Sequence, residues 1–271
     1  MDCTASIIHT PTHNFIENTV ASIEAAFELG ADIVEIDIHP TTDREFVVFH
    51  DWTLDCRTNG KGIVRKHDST YLKSLDIGYG YTADGGDTYP FRGSFIGAMP
   101  TLYDVLSNFP DEKFLINIKG GNVEEAKLLT DYLLDNKHLN RERISVYGSG
   151  ENIPEYAALN PDIVTLHKNT AATCLKKYLL LGWSGYVPLE CHRSFIPVPR
   201  NYQWLIWGWP NRFEKRLREV GSKPLLMGDH KKGSANSGID DVESIPEKYG
   251  GIVFTNRIDI VGPNAADSSP Q

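Results

Sequence analysis

Short apolar runs and amphipathic stretches alternate along most of this chain, and that rhythm limits the fold more than any other feature. "DIVEIDI", "KFLINIK", "RISVYG", "DIVTLH", "PLLMGDH" and "GIVFTN" have the length and β-branched content of strands, and "ASIIH", "EFVVF", "GYVPL" and "QWLIWGW" are further candidates. "NTVASIEAAFELG", "MPTLYDVLSNFP", "NVEEAKLLTDYLLDNK", "AATCLKKYLLLG", "NRFEKRLREVG" and "DDVESIPEKYG" read as helices between them. Such β-α alternation implies a parallel sheet covered by helices, and 271 residues suffice for one eight-stranded barrel domain over 1–271. There are more strand candidates than such a barrel needs. "GYVPL" is the one to drop, because no helix separates it from "QWLIWGW". Residues 52–100, rich in Gly, Asp and Thr, break the rhythm and read as a small insertion after the second strand. "NAADSSPQ" reads as a loose tail.

Charge narrows the partners. Lys and Arg number 27 against 36 Asp and Glu, a formal net charge of −9. Nucleic acid, which needs a basic face, is thereby disfavoured, whereas a small phosphorylated substrate is not. The sequence has no apolar run of membrane-spanning length and no basic, apolar leader at "MDCTASIIHT". As numbered the chain reads as cytoplasmic, and as periplasmic or cell-envelope if an N-terminal segment is missing.

Two acids interrupt the strand-like run "ADIVEIDIHP". Side chains alternate along a strand, so Glu35, Asp37 and His39 share one face, and Val34, Ile36 and Ile38 the other. Ionised carboxylates on a covered face cost several kcal/mol unless compensated, and a hard divalent cation is the natural compensator. A solvated strand end is the simpler alternative. His50 closes the run "EFVVF", at the end of a barrel strand where active sites are built. There it would serve as general acid or base, with Arg57 and Lys61 downstream to meet an anion.

The stretch "ENTVASIEAAFELGADIVEIDIHPTTDREFVVFHDWTLDCRTNGKG" resembles the glycerophosphodiester phosphodiesterase family, which shows ENT, a helix ending in GAD, E-x-D, HD and R-T-x-G-x-G in this order. "MPTLYDVL", "FLINIK" and "GGIVFTNR" resemble further family elements, the last only loosely. The resemblance implies a TIM-type (β/α)8 barrel that hydrolyses glycerophosphodiesters to glycerol 3-phosphate and an alcohol. It implies a divalent metal, Ca²⁺ or Mg²⁺, held by Glu35 and Asp37. It makes His50 one of two catalytic histidines, brings Lys119 to the phosphate and places Glu17 at the pocket. Trp207, with Trp209, would line the alcohol side, core packing being the plainer role for either.

The chain departs from the family in two places. The third metal ligand is a glutamate in the family, where Asn117 stands here. Its amide carbonyl can still ligate calcium, with one charge fewer. The histidine of the family's H-R-G element is also missing. His9 stands near the right spacing without the arginine and glycine, His13 fits less well, and an upstream H-R-G lost by truncation is the other possibility. The readings beside hydrolysis of glycerophosphodiesters are a sphingomyelinase D-like phospholipase on the same barrel and a degenerate barrel that binds phosphodiesters without turnover. Cysteine spacing matches no zinc site. Cys174, at the start of a helix, and Cys191 after "GYVPL" can meet on one face, which would favour an oxidising compartment, and Cys3 can reach Cys56 if strand one is missing.

Overall fold

The structure, a computed structural model, describes residue 5 and residues 14–231 and 238–266. It divides into two compact units, one running to Ala25 and over Ile33–Ile144, the other over Ala26–Asp32 and from Ser145 onward. Helix α1 (Val20–Glu28) buries Ile23 and stops before Gly30, whose φ of +93° a side chain would resist.

In the first unit β1 (Val34–Pro40) pairs in parallel with β3 (Phe114–Ile118), with Asp37 opposite Asn117 and Glu35 opposite Leu115. Ile36 and Ile38 are wholly buried on one face, while Asp37 and His39 are buried on the other. Both faces of β1 are covered, as the near-continuous apolar run required. β2 (Phe46–Val48) is different. It returns antiparallel along β1, with Ile38 opposite Val48 and His39 opposite Val47, after a tight turn in which Thr41 and Asp43 bond to one another. "EFVVF" is therefore a hairpin arm and not a strand of the parallel series.

The insertion has its own core. Leu54, Val64, Leu72, Leu75, Ile77, Phe91 and Met99 pack with Val47 and Phe49 of the hairpin arm. Helix α2 (Ser69–Lys73), capped by Asp68, lies within it. Asp76 ties its loops together by accepting from the backbone of Gly78 and Gly93. A Cβ on Gly80 would fall 1.8 Å from the Cys56 carbonyl oxygen, so this crossing requires glycine. The chain then enters α3 (Leu102–Asn108) through a capping box of Thr101 and Asp104. After β3 the unit continues into α4 (Val123–Asp135), which buries Ala126, Leu129 and Leu133.

The second unit carries β4 (Ile144–Gly148) parallel to β5 (Thr165–His167), with α5 (Asn152–Leu159) between them. Then α6 (Lys168–Leu181) follows directly on β5. A parallel sheet of β6 (Phe195–Pro199), β7 (Lys223–Met227) and β8 (Ile252–Val253) has α7 (Asn211–Glu219) before β7 and α8 (Ile258–Ala266) after β8. Its core joins Tyr178, Ile196, Val198, Phe213 and Leu217 to the buried cysteines.

"QWLIWGW" is a 3₁₀ turn (Arg200–Leu205) and a further turn rather than a strand, in which Ile206 is buried and Trp209 packs against the core while Trp204, Leu205 and Trp207 stay exposed. "GYVPL" forms no strand, and "DDVESIPEKYG" is reduced to one 3₁₀ turn at Val242–Ser244. The strand in this region is β6, "FIPVP", whose prolines hid it. They are tolerated because β6 is the edge of its three-stranded sheet. Helices α5 and α8 were also missed, the latter occupying part of the supposed tail. The strand expected over "ASIIH" lies outside the described residues, apart from buried Ala5.

Cys174 and Cys191 are bonded, with Cα atoms 4.9 Å apart. Cys174 sits in the middle of α6 rather than at its start. Cys56 is disulfide-bonded as well, and the expectation for Cys3 lies outside the described residues. Closing a loop of 17 residues restricts the unfolded chain by about 3 kcal/mol. The double variant Cys174→Ala/Cys191→Ala is therefore expected to lose about that much stability in urea denaturation. An unchanged midpoint would show that the bridge does not constrain the unfolded chain.

Candidate functional site

The candidate site lies in the first unit, around Asp37. This carboxylate is buried, and three donors surround it. Asn117 Nδ2 donates to Oδ1 at 2.8 Å, Lys119 Nζ lies 3.3 Å from the same oxygen, and Asn18 Nδ2 donates to Oδ2 at 3.3 Å. The parallel register explains two of them, because Asn117 stands opposite Asp37 and Lys119 follows two residues later on the same face. Asn18 was not singled out from the sequence. It adopts a φ of +61°, and its Oδ1 accepts from the Asp37 backbone N–H at 3.1 Å. Asn tolerates this left-handed conformation better than most residues, which accounts for its place in "ENT".

The hairpin brings His50 to the same level. The Phe49 N–H donates to the Asp37 carbonyl at 2.9 Å, so the next residue emerges beside the Asp37–Lys119 pair. His50 thus reaches the site because β2 runs backwards along β1, and not because it ends a parallel strand. His50 Nδ1 lies 2.8 Å from Asp51 Oδ1. That hydrogen bond raises the pKa of His50 above its ordinary value; burial opposes the rise, the Asp37 charge assists it, and the Lys119 charge opposes it.

Behind His50, Asp51 Oδ2 lies 2.9 Å from Arg57 Nε. The Arg57 guanidinium also bonds to Glu17 and, at 2.5 Å, to the Tyr81 hydroxyl. Arg57 is only 5% exposed. Arg57, expected to meet an anion, holds Asp51, Glu17 and Tyr81. Glu17 is half-exposed. Asp51 and Tyr81 were not singled out as site residues. The HD and R-T signals in the sequence point to the first, but nothing local marks Tyr81, which comes from the far side of the insertion.

His39 shares the face of Asp37 but is fully buried, edge-on to Trp52, beside Arg65. Burial, aided by the Arg65 and Lys119 charges, lowers its pKa to about 3, so the ring is neutral. Trp207 belongs to the second unit, where its indole N–H donates to the Leu179 carbonyl. His9 lies outside the described residues.

The residues fit a hard cation in donor chemistry. Glu35 and Asp37 are in phase on β1, and Asn117 is in register, which makes an oxygen set suited to Ca²⁺ or Mg²⁺. Among the described residues no three His, Cys, Asp or Glu side chains cluster as ligands, so a bound cation would need an amide oxygen or water to complete its shell. Asn117 turns its Nδ2 toward Asp37, and ligation would require the amide to turn over.

Removing the partner of His50 has a directional consequence. A reaction that uses protonated His50 is lost as pH rises through its raised pKa. In Asp51→Asn the anion that holds the proton is gone, so the alkaline limb of kcat against pH should move toward the ordinary histidine value of about 6.5. A limb that stays in place would remove His50 from it.

Residues 11–184 match the glycerophosphoryl diester phosphodiesterase family. A glycerophosphodiester phosphodiesterase of Caldanaerobacter subterraneus subsp. tengcongensis is 40% identical over 107 residues, 39% of this chain and 40% of that protein. Human lysophospholipase D GDPD1 is 26% identical over 213 residues, 71% of this chain and 64% of that protein. The chain thus spans about 40% of the bacterial relative's length and 64% of the human one's. Among solved structures, a glycerophosphodiester phosphodiesterase from Agrobacterium tumefaciens superposes with a TM-score of 0.62 at 23% identity, over 91% of this chain and 93% of that one. An Oleispira antarctica phosphodiesterase in complex with the product sn-glycerol-3-phosphate gives 0.61 at 20% identity, over 93% and 92%. These likenesses show the fold, a TIM-type α/β barrel.

Proposed function

The chain belongs to the glycerophosphoryl diester phosphodiesterase family, and from that premise we propose that it is a single-domain enzyme hydrolysing glycerophosphodiesters to glycerol 3-phosphate and an alcohol. The observation that carries this reading is the meeting of Asp37 with Lys119 through the β1–β3 register and with His50 through the β1–β2 hairpin. An acid, a cation and a titratable imidazole are what phosphodiester cleavage asks of a site: charge to hold the phosphate and a proton for the departing alkoxide.

Lys119 would bind a phosphate oxygen. His50, with Nδ1 directed at Asp51, would present its other ring nitrogen and protonate the leaving alcohol. Arg57 would keep Asp51, and through it the imidazole, in one orientation. A divalent cation would be held by Glu35, Asp37 and the Asn117 carbonyl, and when bound it polarises the phosphoryl group. The bonded cysteines support residence in an oxidising compartment.

The test is release of glycerol 3-phosphate from glycerophosphocholine with added Ca²⁺ or Mg²⁺, beside sphingomyelin and lysophosphatidylcholine as competing substrates. Headgroup release from the lipids alone would replace this reading by a phospholipase D. Binding without turnover of any of them would replace it by a phosphodiester-binding barrel. Asn117→Glu, which restores a third carboxylate, is expected to tighten the divalent cation in isothermal titration. Unchanged affinity would show that β3 does not reach the ion.

A further inference from the structure

Four of the five tryptophans of the chain fall within residues 183–209. Leu180, Trp183, Leu189 and Trp204 are each between 69% and 76% exposed, an unusual display of large apolar side chains. All four belong to the second unit. They are drawn together around the C-terminal end of α6. Lys177 pairs with Glu190, which brings the turn carrying Leu189 beside the helix. Trp207 Nε1 donates to the Leu179 carbonyl at 2.9 Å, and the Tyr178 hydroxyl donates to the Trp207 carbonyl, which docks the Trp204 segment on the same helix.

These side chains are presented rather than left loose. Arg216 Nη1 donates to the Gly182 carbonyl and to the Tyr178 hydroxyl, both at 2.7 Å, and so fixes the loop that holds Trp183. A Cβ on Gly182 would fall 2.7 Å from the Tyr178 ring, so glycine is what lets the loop cross there. Trp204 spends its indole N–H on the Asn201 carbonyl. Its polar atom is satisfied internally, and the face left to solvent is apolar.

Charge decides the occupant. Residues 168–220 contain nine Lys and Arg against three Glu in a chain of −9, and Arg193 and Arg200 among them pair with Asp162 and Asp229 from outside this segment, which leaves seven Lys and Arg to the three Glu. Lys176 and Lys177 lie one turn before Leu180, and Arg212, Lys215, Arg216 and Arg218 come from α7. A second copy of this chain meeting this face with its own would bring the basic residues of both copies together, whereas an anionic lipid surface answers both properties. Trp and Tyr favour the headgroup level of a bilayer, and Lys and Arg beside them are drawn to anionic lipid. No helix of the described residues is long and apolar enough to cross a membrane, so contact would be interfacial.

We propose that the Trp- and Leu-rich face at the C-terminal end of α6, with its basic surround, docks this protein on the surface of an anionic lipid bilayer. The inference does not depend on which phosphodiester is hydrolysed.

The experiment is co-sedimentation of the full chain with phosphatidylcholine vesicles containing none or about 30 mol% phosphatidylglycerol. Binding to the anionic vesicles is expected, with blue-shifted tryptophan emission and release by about 1 M salt. Trp183→Ala/Trp204→Ala should lower the partition constant about tenfold or more. Lys176→Glu/Lys215→Glu, both on exposed helix positions, should abolish the preference for anionic lipid, and circular dichroism confirms that each variant is folded. Absence of binding to either vesicle overturns the proposal. So does binding that neither double variant changes. Concentration-dependent dimerisation in sedimentation velocity, lost in Trp183→Ala/Trp204→Ala without any vesicle binding, would instead give this face to a second copy and also overturn it.

Discussion

Asp37→Asn should lower turnover by about 10²–10³ or more, the order of loss when one preorganised electrostatic group is taken from a site. The carboxylate sits between Lys119, Asn117 and Asn18, so the substitution also removes one partner of a buried ion pair. Leaving Lys119 uncompensated is expected to cost about 3–5 kcal/mol of stability. Loss of activity and loss of fold must therefore be separated. The double variant Asp37→Asn/Lys119→Met removes both charges and keeps the side-chain volumes, so most of the stability should return. Turnover should not return with it, since the acid proposed to hold the cation and the amine proposed to bind phosphate are both absent. Thermal denaturation and glycerol 3-phosphate release, measured on the same preparations, decide the matter. Near wild-type turnover in the stable double variant would mean that the β1–β3 pair plays no part in the reaction.

His50→Ala is expected to lower kcat by roughly 10²–10⁴, the usual share of a positioned proton-transfer group. The His50 side chain is 44% exposed and bonds to Asp51 at the surface of the unit, so stability should change little. The effect should also depend on the leaving group. A substrate whose alcohol departs as a stable anion, such as a nitrophenyl ester, needs little protonation and should recover much of the lost rate. If the nitrophenyl and choline esters suffer equally in His50→Ala, the imidazole does not protonate the leaving group, and the Asp51–Arg57 clamp behind it serves another end.

Much of the first unit was legible in the sequence, for a local reason. The period-2 alternation of "VEIDIH" places Glu35, Asp37 and His39 on one face whatever the strand packs against, and the in-phase "NIK" of β3 places Asn117 and Lys119 the same way. The helices with clear stops were legible too: α1 by Gly30 and α3 by Pro110. Signals of this kind reside within a few residues of one another, so no tertiary contact is needed to read them.

Other features came only from the tertiary structure. Whether "EFVVF" runs with β1 or against it depends on a hydrogen-bond register that pattern does not encode, and this register is what delivers His50 to Asp37. The hard-to-place strand "FIPVP" carries prolines that argue against a strand until its edge position is known, while "QWLIWGW" carries the apolar residues of a strand and leaves most of them exposed. Arg57 reads as a free cation in "CRTNG", and its capture by Asp51, Glu17 and Tyr81 depends on three segments far apart in the chain. Sequence by itself determined which face each side chain of a strand takes, because backbone geometry alternates locally. Tertiary structure decided which charges meet, because an ion pair joins whichever distant segments the packing of the core brings together.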